Sequence, residues 1–457
     1  MGTRTCSRRT RLDAPARAVF DWHTRPGAFE RLLPPWERVR VVRRRGGIAD
    51  GGQVTVRVRI AGLPVTWVVE HREYVEGEQF ADVQVKGPFA EWKHTHRVEP
   101  AGESASELID TVEYRLPFGP VGDVLGRRFA QRKLERMFAY RHALLAADLD
   151  QHQREARGRQ LTVAVTGSHG FVGRALLPLL TTGGHTVKRI VRGKPAHDME
   201  IGWSPETGEI EKEKLEGVDA VVHLAGEPIL GRWTEAKKRR IRASRVEGTR
   251  QIAEAIAGLA RKPAVMVSAS GINYYGDGGD ELLTEEDGPG DDFLSRVAVE
   301  WEGATAPAQD AQVRVVMMRT GAVLSPDGGA LGAMLPVFRM GLGGPLGDGK
   351  MWFSWITRND LVGAIYHAVC DERVSGPVNA VAPAPVTNRT FTKVLGRVLG
   401  RPTVFAVPRF ALRAMLGEAA DELLLTSVRV QPRVLAATGY RFRDPELEPA
   451  LSGLLGK

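Results

Sequence analysis

The chain has 457 residues, 43% of them apolar and 26% charged, which suits about two or three globular domains and excludes both a single small binding module and a wholly disordered chain. Its two cysteines, Cys6 and Cys370, stand far apart, which argues against a disulfide framework, and no clustered Cys/His spacing points to zinc. The net charge is +8, yet the 63 basic residues are spread along the chain rather than gathered in one arm, so nucleic acid is not an expected partner.

The first 15 residues mix arginines with short polar residues and lack the apolar core of a secretory signal. Nowhere is there an uninterrupted apolar stretch of about 18 residues, so no transmembrane segment is expected and a cytoplasmic location is. Residues 1–150 read as an α+β unit. Pro15 suits the start of a short helix over 16–23, because a helix start tolerates its missing N–H. Segments 39–43, 54–60, 65–71, 80–85, 91–98 and 107–114 carry β-branched or aromatic alternation between Gly, Pro or acidic turns, predicting an antiparallel meander. Over 121–149 the apolar residues Val121, Leu125, Phe129, Leu134, Phe138 and Leu145 recur at helical spacing and predict one long amphipathic helix. A sheet curled around that helix would enclose a cavity. His94 and His96 are two apart on a strand and share a face. They are read as partly exposed on the sheet, with a catalytic or ligand-sensing role as the alternative.

The order of helix, meander and long helix, with Asp13-Ala14-Pro15 leading into Val19-Phe20 and later Gly87-Pro88-Phe89 and Trp92-Lys93-His94-Thr95-His96, resembles the START-like (polyketide cyclase/dehydrase) helix-grip domain. The resemblance implies a hydrophobic ligand held in the cavity. The polar run 151–160 reads as a helix extension or linker, and a domain boundary is placed there.

Residues 161–165 form a buried-strand run, and Thr166-Gly167-Ser168-His169-Gly170-Phe171-Val172-Gly173 follows directly before a helical stretch over 174–180. Strand, glycine turn and helix together suit a dinucleotide. Gly167 allows the tight turn, Gly170 lets backbone approach a pyrophosphate, Gly173 lets helix pack on strand, and the helix N-terminus supplies free N–H groups alongside Ser168, Phe171 and Val172. The next strand, 185–191, ends in Arg192 with Lys194 nearby, where an acidic residue would select NAD. An arginine there favours the 2′-phosphate of NADP, the alternative being a solvated loop arginine. A further strand, 220–224, ends in Leu224-Ala225-Gly226, whose small residues would let the cofactor cross the strand end. The expected fold class is α/β, a Rossmann doubly wound parallel sheet following the helix-grip domain.

The TGxxGxxG pattern, the run from Asp219 to Gly226 and Arg245-Val246-Glu247-Gly248-Thr249 resemble the extended short-chain dehydrogenase/reductase superfamily. More narrowly, Gly226-Glu227-Pro228, Arg232-Trp233, Ser244-Arg245, Ser268-Ala269-Ser270, Tyr274-Tyr275-Gly276, Asp292-Phe293-Leu294, Trp301-Glu302 and Ser354-Trp355-Ile356 are similar to its atypical epimerase-like subfamily. Gly417-Glu418, Leu423-Leu424-Leu425, Gln431-Pro432 and Gly439-Tyr440 are similar to the small C-terminal module of that subfamily. The implied domains are 1–150, 161–385 and 386–457, the last packed on the substrate side. The resemblance also implies that Arg245 reaches cofactor phosphates or ribose, the alternative being a helix-surface salt bridge.

Ordinary members of the superfamily use a Tyr-x-x-x-Lys pair as general acid or base. No tyrosine here has a lysine four residues later, and with Trp301-Glu302 setting the register the dyad positions fall on Leu294 and Ala298. Ser270 occupies the position that resembles the superfamily's catalytic Ser/Thr. Tyr274 or Tyr275 would then donate the proton from another direction, with Arg319 as electrostatic helper; the alternative is packing. The stretch 331–349, with Trp352 and Trp355, is expected either as an apolar lid and wall of a substrate pocket or as ordinary core. The leading expectation is an NADPH-using epimerase-like or reductase-like enzyme acting on a small, hydrophobic carbonyl or hydroxyl substrate, the rival a non-catalytic NADP(H)-responsive sensor or scaffold.

Overall fold

The computed structural model describes residues 2–60 and 62–457. The chain forms two compact units, one built on Met1–Arg157 and the other on Gly158–Leu180 and His185–Leu455. Among the described residues no helix is long and apolar enough to cross a membrane.

The first unit is a seven-stranded antiparallel sheet with a long helix. Its strands are β1 (Arg4–Leu12), β2 (Arg40–Arg45), β3 (Gln53–Ile60), β4 (Leu63–Val75), β5 (Gln79–Lys86), β6 (Glu91–Pro100) and β7 (Ser106–Arg115), in the order β1-β7-β6-β5-β4-β3-β2. Helix α1 (Ala16–Thr24) follows β1, and α2 (Gly119–Ala156) closes the unit. Strand β1 was not foreseen, because its arginine-rich sequence has little apolar alternation and only Leu12 is buried. It is held by its ladder to β7, from Arg4 opposite Tyr114 to Leu12 opposite Ser106. Helix α2 buries Leu134, Phe138, His142, Leu145 and Leu149 along one face, as the 3.6-residue period requires. Phe129, expected on that face, is instead 66% exposed, and the side chains of Val121 and Leu125 lie outside the described residues.

The second unit contains a parallel seven-stranded sheet of β8 (Thr162–Thr166), β9 (Thr186–Arg192), β10 (Glu200–Trp203), β11 (Ala220–His223), β12 (Val265–Gly271), β13 (Arg314–Thr320) and β14 (Gly376–Ala380). The spatial order is β10-β9-β8-β11-β12-β13-β14. The chain thus runs outward from β8 in one direction and then resumes on its other side at β11. That reversal is the topological switch point at which doubly wound sheets bind ligands, and it identifies a Rossmann fold. The core strands are buried on both faces, as Val163, Ala164, Val165, Val221 and Val222 show. Helices α3 (Gly173–Thr182), α4 (Glu235–Ala257), α5 (Phe293–Gly303) and α6 (Arg358–Cys370) cover them.

The stretch expected as a lid or as core divides: its first part supplies core, whereas Met340 and Leu342 are exposed. Leu331, Leu335 and Phe338 pack with Trp355, Phe391, Leu395 and Leu451 in one buried cluster. The C-terminal segment is tied to the sheet unit by polar bonds as well. Asp360 of α6 accepts from the backbone N–H of Arg443 and Asp444, and the Tyr440 hydroxyl donates to the Asp360 carbonyl at 2.8 Å.

Candidate functional site

At the switch point the glycine turn is closed by sterics. Gly167 has φ +63°, and a Cβ there would stand 2.8 Å from the Leu224 carbonyl carbon and oxygen. A Cβ on Gly173 would meet the Gly167 oxygen at 2.3 Å, whereas one on Gly170 would meet that oxygen at 3.0 Å with nothing else nearer than 4.0 Å. Two glycines are therefore needed by the fold itself, and the third lines the turn. Thr166, which was not foreseen as a site residue, holds the opposite wall: its Oγ1 accepts from the N–H groups of Leu224 and Ala225 at 2.9 and 3.2 Å. Its own proton then goes to His223 Nδ1, 2.9 Å away, a ring that burial pushes down to about 4 and keeps neutral.

Ser168 is 4% exposed and its Oγ has no hydrogen-bond partner among the described residues. A buried unpaired hydroxyl beside a glycine cradle at a helix N-terminus is complementary to a phosphate oxygen. Phe171 packs its ring against Gly328 and Gly329, where a Cβ would come within 2.5 and 2.9 Å of it, and takes Arg358 over its face at 5.1 Å. Arg192, at the carboxyl end of β9, is exposed and has no ion-pair or hydrogen-bond partner among the described residues. Its neighbour Arg189, by contrast, is engaged by Glu200 at 2.7 Å.

Arg245 on α4 is turned inward rather than toward a surface salt bridge. It donates to the carbonyls of Glu227 and Ile241, lies over Trp301 at 4.9 Å, and sits 3.7 Å from where a Gly226 Cβ would be. Burial lowers it to about 10. Ser244 Oγ accepts from the Glu227 N–H at 3.0 Å, so the two residues together pin the loop after β11.

Ser270, Tyr275 and Arg319 meet in one buried network, with Tyr274 against it. Ser270 Oγ donates to Glu302 Oε1 at 2.7 Å, and Arg319 donates to both Glu302 oxygens at 2.9 and 2.8 Å. Arg319 also donates to the Tyr275 hydroxyl at 3.0 Å, which in turn donates to Asn379 Oδ1 at 2.8 Å. Desolvation raises the Tyr275 phenol, only partly offset by Arg319. Burial alone would weaken the Arg319 charge, but Glu302 holds it firmly protonated. Tyr274 lies with its ring 3.5 Å beneath the Arg319 guanidinium, and its hydroxyl has no hydrogen-bond partner among the described residues. Glu302 and Asn379 were missed by sequence reasoning. Trp301-Glu302 served only as a register mark, although a carboxylate in a helix interior near a strand-end arginine was a usable signal. The dyad positions hold Leu294 and Ala298, each 5% exposed.

In the first unit His94 and His96 do share a face, but they are 3% and 6% exposed rather than partly exposed on the sheet. Helix α2 covers that face. Along β6 the sequence Trp92, His94, His96, Val98 places the two imidazoles between two apolar clusters. The same order recurs in β7 with Asp110 between Leu108 and Val112, and in α2 with His142 between Phe138 and Leu145. A polar belt thus crosses the interior. His96 Nδ1 lies 2.7 Å from Asp110 Oδ1, His71 Nδ1 lies 2.6 Å from Asp82 Oδ1, and His142 Nε2 lies 3.0 Å from Asp110 Oδ2. Burial opposes charge throughout, so His94 and His23 fall to about 4, whereas Asp110 and Asp82 overcome it at His96 and hold that ring up at about 9.

Three family models match the chain: polyketide cyclase/dehydrase and lipid transport over residues 12–139, the NAD dependent epimerase/dehydratase family over 163–380, and a domain of unknown function, DUF1731, over 407–454. The epimerase family protein Mb2239 of Mycobacterium bovis is 44% identical over 290 residues, which are 63% of this chain and 96% of the relative. A crystal structure described as a nucleoside-diphosphate sugar epimerase from Corynebacterium glutamicum is similar over 99% of this chain and 90% of its own, with TM-score 0.82 and 37% identity. The human epimerase family protein SDR39U1, solved with NADPH, is 38% identical with TM-score 0.61, covering 65% of this chain and 99% of its own. With a relative this similar along nearly its whole length, a Rossmann sheet reversing at the glycine turn and a matching family model, the chain belongs to the NAD dependent epimerase/dehydratase family, joined to a polyketide cyclase-type domain.

Proposed function

We propose that the second unit binds NADP(H) and acts as an oxidoreductase or epimerase of the atypical short-chain class on a hydrophobic carbonyl or hydroxyl compound. The observation that carries the reading is the glycine turn with its orphaned, buried Ser168 hydroxyl, set at the strand-order reversal. Ser168 and the N–H groups of Phe171, Val172 and Gly173 would hold the pyrophosphate, with Leu224, Ala225 and Gly226 beneath the cofactor. Arg192, whose side chain is unpartnered among the described residues, would take the 2′-phosphate, and the NADPH of the human relative supports that choice. Arg245 braces the loop under the cofactor. The bound nicotinamide supplies or accepts a hydride.

The proton must come from this chain. Ser270 and Tyr275 are engaged with Glu302 and Asn379, which leaves Tyr274, with its unpartnered hydroxyl beside Arg319, as the group free to give or take it. The polyketide cyclase and lipid transport model matched by the first unit supports a hydrophobic substrate, with the C-terminal module on the substrate side. The test is calorimetric titration of the full chain with NADPH and NADH, followed by a carbonyl panel that monitors oxidation of the reduced nicotinamide. NADPH-selective binding with turnover lost in Tyr274→Phe is the expected result. Absence of cofactor binding overturns the reading.

The apolar dyad positions favour a second reading, an NADP(H)-responsive sensor. It predicts the same binding, a cofactor-dependent change of shape, and no turnover with any carbonyl compound.

A further inference from the structure

The polar belt inside the first unit owes nothing to the dinucleotide site, and its composition is that of a metal centre. One donor atom each from Asp82, His94 and His96 lies within 4.8 Å of the others, on two neighbouring strands whose pairing sets Asp82 opposite His94. His96 Nε2 stands 3.7 Å from Asp82 Oδ2. Around an ion bound at about 2.0–2.1 Å, tetrahedral ligand atoms are separated by about 3.3 Å, so donors that now lie within 4.8 Å of one another would have to close by up to about 1.5 Å, the His96–Asp82 pair by much less.

The surroundings are also those that metal ligands require. A ligating imidazole normally gives its other ring N–H to a carboxylate. His96 is placed for this, its Nδ1 lying 2.7 Å from Asp110 Oδ1 while Nε2 faces Asp82. Asp110 is steadied by His142, whose Nδ1 is 2.8 Å from the Thr10 hydroxyl, and the second oxygen of Asp82 lies 2.6 Å from His71 Nδ1. Even so, His94 Nε2, His96 Nδ1, Asp82 Oδ1, Asp110 Oδ1 and His71 Nδ1 are buried without a well-aligned hydrogen bond. Unmade bonds in an apolar interior are costly, and a cation held by His94, His96 and Asp82 would relieve part of that cost.

We propose that the first unit binds a divalent transition-metal ion through His94, His96 and Asp82, with Asp110, His142 and His71 as positioning residues. Two imidazoles and one carboxylate suit zinc, cobalt, nickel or ferrous iron rather than calcium or magnesium. Three protein ligands leave at least one position open to water or to a ligand.

The test uses the full-length protein, stripped with chelator and titrated with Co²⁺ while visible absorption is recorded; metal content after Zn²⁺ loading and desalting is measured in parallel. One equivalent per chain is expected, with His96→Ala and Asp82→Asn each weakening it at least tenfold, Asp110→Asn weakening it about 10–100-fold, and the surface variant His197→Ala unchanged. X-ray absorption at the zinc edge of the wild-type protein gives a readout that does not depend on any variant folding. A nitrogen/oxygen shell with imidazole scattering is expected. Failure of the wild-type chain to retain an equivalent, equal binding by folded His96→Ala, or a shell without imidazole would each overturn the proposal.

Discussion

Replacing Glu302 by glutamine tests whether the Ser270 network is a structural brace. The Glu302 carboxylate takes two bonds from Arg319 and one from Ser270, and the Arg319 and Glu302 side chains are 4% and 11% exposed. Removing one partner of a buried ion pair costs about 3–5 kcal/mol, because the other charge is left desolvated without compensation. Glutamine keeps an oxygen for one Arg319 bond, which puts the expected loss near the lower end, about 3 kcal/mol. At an unfolding entropy of about 2.1 cal/mol/K per residue, a unit of roughly 300 residues then melts about 5 °C lower. Ser270→Ala removes one neutral donor from a carboxylate that keeps both arginine bonds, and should cost about 1.5 kcal/mol. Urea unfolding followed by circular dichroism reads both. A Glu302→Gln loss below about 1 kcal/mol would refute the brace, and a Ser270→Ala protein of unchanged stability but lost turnover would return Ser270 to the chemistry.

The other sites make separable predictions. Arg192→Ala should weaken NADPH by about 1.5–3 kcal/mol, the worth of a charged hydrogen bond, and leave NADH nearly untouched; equal losses in calorimetry would remove the case for the 2′-phosphate. Gly170→Ala meets only the Gly167 oxygen at 3.0 Å, so it should fold and lose at least tenfold in cofactor affinity, whereas Gly173→Ala, at 2.3 Å from that oxygen, should destabilise the unit itself in thermal melts. Asp444 is raised to about 6 by burial and by Asp360, so the folded state holds its proton more tightly than the unfolded one. The stabilising contribution of the protonated form is present below about pH 4 and is lost as pH rises to about 6, a change of about 2 kcal/mol. Asp444→Asn keeps an acceptor for Thr357 and should flatten that slope; an unchanged urea midpoint profile between pH 4 and 7 would contradict it.

What the sequence disclosed was whatever is local. Strand, glycine turn and helix occupy consecutive residues from Thr162 to Thr182, so their chemistry could be read without knowing what lies across the sheet. Helix α2 declared itself by its period through Leu134, Phe138 and Leu145, yet the same period misplaced Phe129, since a repeat gives a face but not how far the partner surface extends. Strand β1 stayed hidden because an edge strand can be held by its ladder to β7 with almost no apolar alternation. Alternation put His94 and His96 on one face, but their burial depends on α2, and their partners Asp82, Asp110, His71 and His142 come from three other strands and that helix. Glu302 likewise acquires its role only when α5 sets it against the ends of β12 and β13, where Ser270 and Arg319 lie directly opposite each other in register.

The fate of the dyad positions follows from the same long-range packing. Leu294 and Ala298 face inward from α5, and Leu294 packs with Trp233, Ile241 and Ala419. Its N–H donates to Glu422 at 2.8 Å, and Phe293 donates to the other oxygen of the same carboxylate. Helix α5 therefore starts against the C-terminal segment: the side chain at 294 fills an apolar cluster, and the backbone beside it is capped by an acid from that segment. Burial, with Asp292 and Glu418 nearby, raises Glu422, and the two N–H groups that it accepts from work against that shift. A phenol and an ammonium built into 294 and 298 would have to displace that packing, at about 1–3 kcal/mol for the added bulk alone. The apolar side chains at these two positions thus go with the docking of the C-terminal module on α5, and under the proposed function the proton would be exchanged at Tyr274, whose ring lies 3.5 Å from the Arg319 guanidinium.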